Sequence, residues 1–470
     1  MKKTKRFSAL AIYWSFIGLV LSTSTGFSQA VATEHQIIST QGANDWKSFQ
    51  IDSITYLALA NYQNNISVEI NSEIYKWDNG QFYLFQELPT KGASDWEYFS
   101  IDTQHFLAVA NYKSDTEYEV NSTIYTWDGD SLIFFQDIST SAAYDWEAFT
   151  IGDTAFLAVA NQLDAGGDYS TYSTIYKWNG VQFDSVQSVL TYGASDWEAF
   201  NIDDSLQFLA VANTYALTTN IFQWNGIEFV NFQVLLSIAT TGIESFSIDN
   251  EHYLATSNGR DLSSFSTNSH IYKWDGTQFL IFQDIPTIGA FDWEFFSTNS
   301  QHFLCVANYQ DDSNNYNLNS VIYIWDGLSF VSHQEILTNG ATDFEFIRID
   351  NNNYLAAAEY KSGLQHNIDS RLFILQDDIT FVNEISKRQY FTFNLAPNPV
   401  VDQFLLNINS LQSGPVTVEI INMNGSLVHH QIVANTTDNI NIWLPKLKSG
   451  HYLCRVRHGN KSSVQKFILR

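Results

Sequence analysis

The residues of this chain most suited to chemistry are acids, and they return at a fixed spacing. An aspartate recurs as Asp45, Asp95, Asp145, Asp196, Asp292 and Asp343. Two residues further on, an acid recurs as Glu97, Glu147, Glu198, Glu244, Glu294 and Glu345. On a strand, positions i and i+2 share a side, so each pair presents two carboxylates together. Clustered carboxylates are hard oxygen ligands, and calcium is the one cofactor they suggest. The structural alternative is that each aspartate caps a turn and bonds the backbone of its own repeat.

A second set is aromatic. Tyr62, Tyr112, Tyr309 and Tyr360 each follow an apolar strand directly. As exposed rings they would stack on sugars or anchor a protein partner; otherwise they pack between neighbouring loops. His105, His252 and His302 share one slot but stand in different repeats, which argues against a convergent metal site. No GxSxG, HExxH, P-loop or paired-cysteine motif is present. No catalytic residue is assigned, and the chain reads as a binding protein, not an enzyme.

These residues sit in a repeating frame. One phenylalanine per copy marks it: Phe49, Phe99, Phe149, Phe200, Phe246, Phe296 and Phe346, in steps of 50, 50, 51, 46, 50 and 50 residues. A second ruler is Trp77, Trp127, Trp178, Trp224, Trp274 and Trp325, with Leu375 in the seventh slot. Each copy reads as four short strands rich in Tyr, Trp, Phe, Ile, Val and Thr. In the second copy these are residues 96–101, 106–111, 123–127 and 132–138. An Asx-Gly pair such as Asp128-Gly129 turns the third strand into the fourth. A four-stranded unit of this period is a propeller blade. The fold class is therefore all-β: a seven-bladed β-propeller followed by a small C-terminal β-sandwich. Trp127 and its counterparts are expected to be buried between sheets.

The expected domains are a signal peptide at 1–30, the propeller at 31–386, a linker at 387–393 and the tail at 394–470. Lys2, Lys3, Lys5 and Arg6 open the leader. Its apolar run, 7–21, is too short for a comfortable span of about 20 residues. Ser28 and Ala30 fit the positions before a cleavage site, placing the cut between Ala30 and Val31. No later run is long enough to span a membrane. Residues 35–40 (HQIIST) match the end of a fourth strand, so the N-terminus is expected to close the ring in the seventh blade; 381–385 compete for that slot. The loops after each second strand (62–71, 112–121, 162–172, 214–220, 259–269, 309–319, 360–369) vary most, and variable loops on a rigid scaffold carry specificity.

Net charge is −27, unevenly spread. Residues 31–393 hold 12 basic and 47 acidic residues, −35, whereas the tail is +4. Such a surface repels nucleic acid and anionic membranes. Cys305 and Cys454 stand in different domains in apolar strands, and read as buried free thiols.

The repeat pattern GAxDWExFxI…FLAVAN…SxIYxWDG resembles the EAR family, also called EPTP or epitempin repeats. That resemblance implies a seven-bladed propeller on a secreted or cell-surface protein that acts by protein binding and adhesion, without catalysis. The tail resembles the C-terminal sorting domain of the type IX secretion system of Bacteroidetes. It does so through Pro397-Asn398-Pro399, Gly425, Ser449-Gly450-His451-Tyr452 and the final 466–469, which begins with Lys466. This implies handling by the type IX machinery, removal of the tail and display on the outer-membrane surface or release. The expected ligand is a protein partner; a surface glycan is the second reading, and a propeller enzyme, a lyase or glycosidase, the third.

Overall fold

The computed structural model describes residues 30–203, 206–298, 301–377, 392–409, 416–422, 427–433, 439–444, 446–458 and 461–470. The expected leader before Ala30, the competing strand 381–385, Gly425 and most of the expected linker 387–393 lie outside the described residues. Two compact units emerge, one of Ala30–Gln376 and one carrying Asp377–Arg470.

The first unit holds seven four-stranded antiparallel sheets. In the second blade the strands are Ala93–Ile101, Gln104–Asn111, Glu119–Trp127 and Leu132–Ser141. In six sheets the strand order follows the chain. The seventh differs: Ala341–Ile349, Asn352–Glu359 and Asn367–Asp377 are completed by Ala30–Gln41, paired on its outer edge. The N-terminal strand is thus the fourth strand of the last blade. Side chains confirm the equivalence. Thr140 bonds the Ser122 hydroxyl at 2.9 Å within the second blade, and Thr40 bonds Ser370 at 3.0 Å across the closure.

One expectation is corrected and one refined. The seventh inner strand pairs Ile347 with Tyr354, as Phe99 pairs with Phe106. Ile347, not Phe346, therefore fills the ruler's seventh slot; local spacing put a neighbouring aromatic in its place. The turn after the third strand also has two forms. Asn79-Gly80 is a two-residue turn with both φ positive (49° and 86°). At 128–131 the turn has four residues, and Asp128 Oδ1 accepts from the N–H groups of Asp130 and Ser131 at 2.9 Å.

The core lies between blades. Trp96 is fully buried with Leu107 and Val109 against Phe49, Tyr56 and Ala58 of the blade before. The largest buried side chains include the tryptophans of the acid motif: Trp46, Trp96, Trp146, Trp197 and Trp293. The other tryptophan ruler does not reach that depth. Trp127 packs on Tyr56 (centroids 5.5 Å) and Phe85 (5.9 Å) of the preceding blade but stays half-buried. Hence Trp96→Ala should cost about 3–5 kcal/mol and Trp127→Ala about 2 kcal/mol, read by urea unfolding of each variant. Equal losses at the two positions would contradict this placement.

The second unit pairs Thr392–Ala396, Gln403–Asn409 and Asn439–Trp443 in one sheet. The other sheet orders Leu427–Val433, Val416–Asn422, Gly450–His458 and Lys461–Leu469. Phe404, Val418, Cys454 and Phe467 fill the space between them. The first of these strands begins at Thr392, two residues inside the stretch expected as linker. Both cysteines are buried free thiols.

Candidate functional site: the acid-lined axis and its aromatic rim

Each inner strand has one edge paired within its blade and one edge facing the propeller axis. The amides on that free edge need partners, because a buried N–H without one costs free energy. The acid motif supplies them, from the preceding blade. Asp45 Oδ2 accepts from Trp96 N–H at 3.0 Å, Asp95 from Trp146 at 2.9 Å, Asp145 from Trp197 at 2.8 Å and Asp196 from Ile243 at 2.6 Å. Asp343 closes the circle on Trp46 at 3.0 Å. The glutamates repeat the pattern one step deeper: Glu97 to Ala148, Glu147 to Ala199, Glu198 to Ser245, Glu244 to Phe295, Glu294 to Phe346 and Glu345 to Ser48, at 2.8–3.3 Å. The aspartates were expected to bond their own repeat. They staple neighbouring blades instead, because side chains of the inner strand project sideways across the ring.

Two slots break the pattern, and each break has a visible consequence. In the first blade Lys47 replaces the glutamate, and its Nζ lies 2.5 Å from Glu97 Oε2. Burial alone would lower the Lys47 ammonium, but Glu97, Glu345 and Asp95 around it hold its pKa well above the ordinary value. In the fifth blade Gly242 replaces the aspartate, pairing with Ser257 as Asp196 pairs with Ala212. A Cβ on Gly242 would stand 2.5 Å from Asp292 Oδ1. The gap is therefore filled by the Asp292 carboxyl, which burial pushes well above the usual carboxylate range.

Burial pushes these acids up, and neighbouring carboxylates push most of them further. Asp45 reaches about 8, Glu198 about 7 and Asp292 about 7. Asp95, Asp145, Glu147, Asp196, Glu244, Glu294 and Asp343 are all raised well above the carboxylate range. They line an axial cavity of about 140 Å³. The donor chemistry suits a hard cation. Yet among the described residues no group of three or more His, Cys, Asp or Glu is arranged to hold a metal ion, because each acid leans toward its amide.

Above the aspartates the tyrosines form a closed circuit. Tyr62 meets Tyr112 at 5.8 Å, Tyr112 meets Tyr144 at 5.7 Å and Tyr144 meets Phe291 at 6.4 Å. The circuit continues from Phe291 to Tyr309 (5.6 Å), Tyr360 (6.0 Å) and back to Tyr62 (6.0 Å). The expectation of exposed stacking platforms is corrected: these rings are half-buried against one another. Tyr144 and Phe291 complete the circuit and were missed from sequence. The signal was available, since both stand directly before the repeated aspartate. Blade connections force the loops close at this rim: Gly289 has φ +57°, and a Cβ there would lie 2.3 Å from Gln310 O. His105, His252 and His302 stay apart, each bonding within its own blade to Tyr98, Ser247 and Ser297 at 2.7–2.9 Å.

In the tail unit, Asn398 Oδ1 accepts from Ile468 N–H at 2.9 Å, tying the Pro397-Asn398-Pro399 segment to the last strand. Tyr452 donates to Lys448 O at 2.7 Å and stacks on Phe467 at 5.8 Å. Gly450 opens its strand, and Lys466 is exposed. These residues shape the small fold instead of forming one cluster.

Seven stretches match the EPTP domain: 33–78, 81–128, 131–179, 182–225, 228–275, 278–326 and 329–374. The chain belongs to the EPTP-repeat family. Residues 394–470 match the secretion system C-terminal sorting domain, which marks the chain for type IX export to the cell surface or the extracellular space. A human thrombospondin-type laminin G domain and EAR repeat-containing protein is 41% identical over 56 residues, covering 12% of this chain and 8% of that protein. Among solved structures, the Dos1 propeller aligns at 10% identity with TM-score 0.43, covering 68% of this chain and 75% of the other. The Aleuria aurantia lectin, solved as a point mutant in complex with Fucalpha1-6GlcNAc, aligns at 10% identity with TM-score 0.39, covering 61% of this chain and 93% of the other. Among the described residues no helix is long and apolar enough to cross a membrane.

Proposed function

We propose that this is an exported binding protein that uses the variable-loop face of its propeller to hold a protein partner, without catalysis. One observation carries the reading. Nearly all the acids that would be its reserve of catalytic groups are engaged with backbone amides of the next blade, whereas sequence variation is concentrated in the loops of one face. General acid–base work needs a side chain within reach of a substrate proton, and these carboxyls sit below a packed aromatic rim. The same packing speaks against the four rim tyrosines as sugar platforms. The test is capture from cell-surface extracts on the immobilised full chain, beside a glycan array. A retained protein and a blank array are expected. A glycan bound with no protein retained would overturn this in favour of a lectin role.

A further inference from the structure

The seven-fold pattern fails most at the fourth and fifth blades, on the variable-loop face. After each second strand stands a rim residue: Tyr62, Tyr112, Tyr309 and Tyr360 in four blades, but Thr214 and Gly259 here. The loop at 214–220 is also the shortest of the seven. Where side chains are missing, a notch of about 420 Å³ opens, within the usual range for ligand pockets. Its walls are apolar: Tyr215, Leu217, Ile238, Phe265, Phe291 and Tyr309. Leu262 stands at its lip 82% exposed, and Leu217 is 56% exposed. Exposed apolar side chains gathered at a concave site mark recognition surfaces.

The notch also holds a positive charge. Arg260 lies over the Phe265 ring at 5.6 Å, and its Nε reaches only the Asp261 carbonyl at 3.4 Å. Among the described residues no carboxylate stands within ion-pair distance of it, whereas Arg371 is paired with Glu359. The nearby acids are engaged. Asp261 accepts from the amides of Ser263 and Ser264, and Asp312 accepts from Ser264 Oγ and Phe265 N–H. On a propeller this acidic, an unpaired guanidinium against an aromatic wall is a carboxylate receptor.

We propose that this notch seats an apolar or aromatic side chain of a partner protein, with an adjacent carboxylate held by Arg260. The inference rests on the protein-binding reading above and names the chemistry of its partner. With largely apolar walls and few convergent polar groups, the notch suits a side chain better than a sugar, which needs many hydrogen bonds. The test is a ligand-observed NMR titration of the full chain with three probes: N-acetyl-phenylalanine, its C-terminal amide and glucuronic acid. The acid should bind saturably and the amide at least about five-fold more weakly. Arg260→Gln should bring the acid down to the amide's level. Thr214→Tyr, which installs the ring four other blades carry, should abolish both. No saturable binding, equal binding of acid and amide, preference for glucuronic acid, or indifference to Thr214→Tyr would each overturn the proposal. The two readings separate in the capture experiment. A partner retained equally by wild type and both variants rejects the notch alone; a wild-type chain that retains no protein rejects the binding role itself.

Discussion

A chain lacking residues 30–41 should lose about 5 kcal/mol or more of stability and regain it when the missing strand is added back as a free peptide. The strand is the outer member of the seventh sheet. Its Ile38 is buried with Leu372 and Tyr354. Its edge groups also tie neighbouring blades. Ala32 N–H donates to Gln334 Oε1 at 2.8 Å in the sixth blade, and Gln36 exchanges hydrogen bonds with Phe82 in the first. Burying one large aliphatic side chain contributes about 1.5–3 kcal/mol; uncovering Leu372 and Leu375 adds to the loss. The measurement is urea unfolding of the truncated chain with and without a synthetic peptide of residues 30–41. Unchanged stability after truncation would reject the N-terminal closure.

The second large effect concerns protons. Asp45, Glu198 and Asp292 sit at about 8, 7 and 7 in the folded chain, against 3.8, 4.5 and 3.8 when free. Burial is the first cause in each. A folded pKa above the unfolded one means that the native state holds more protons between those values. Stability contributed this way is full at low pH and is lost as pH rises through the folded pKa. Each proton held by the native state alone is worth about 1.4 kcal/mol per pH unit. Most of these acids are only half-buried in the folded chain, so about one net proton is expected, not one for every acid. In chelator, the propeller should then be about 3 kcal/mol less stable at pH 8 than at pH 6. Surface acids such as Asp115 and Asp312, lowered by hydrogen bonds, act in the opposite sense but below this window. His366, lowered by burial and by Lys361, opposes it only below its ordinary 6.5.

Calcium provides the companion arm. It can neutralise the same acids at pH 8, and should recover part of the loss. With no three ligands in place, millimolar calcium should be needed, as in weak extracellular sites, and magnesium should do less. The gain should vanish at pH 6, where protons already hold the acids. Melting curves at both pH values, in chelator and in calcium, decide this. A chain equally stable at pH 6 and 8 in chelator would show that the acids ionise without cost.

The sequence alone determined what depends on neighbours along the chain. Alternating β-formers, Asx-Gly turns and the fixed period specify seven four-stranded units, and the C-terminal segment specifies export. Each follows from contacts within about one blade. The tertiary structure decided what joins residues one blade or a whole ring apart. Asp45 meets Trp96, 51 positions on, and Asp343 meets Trp46 across 297. Only closure turns a motif that reads as a turn cap into a staple between blades, and four exposed-looking tyrosines into a packed rim. The shift from Phe346 to Ile347 has the same origin: spacing counts residues, whereas pairing across the sheet assigns them. The notch at Arg260 is the clearest case. Its walls come from three blades, and it exists because small residues in separate copies fall side by side when the ring closes.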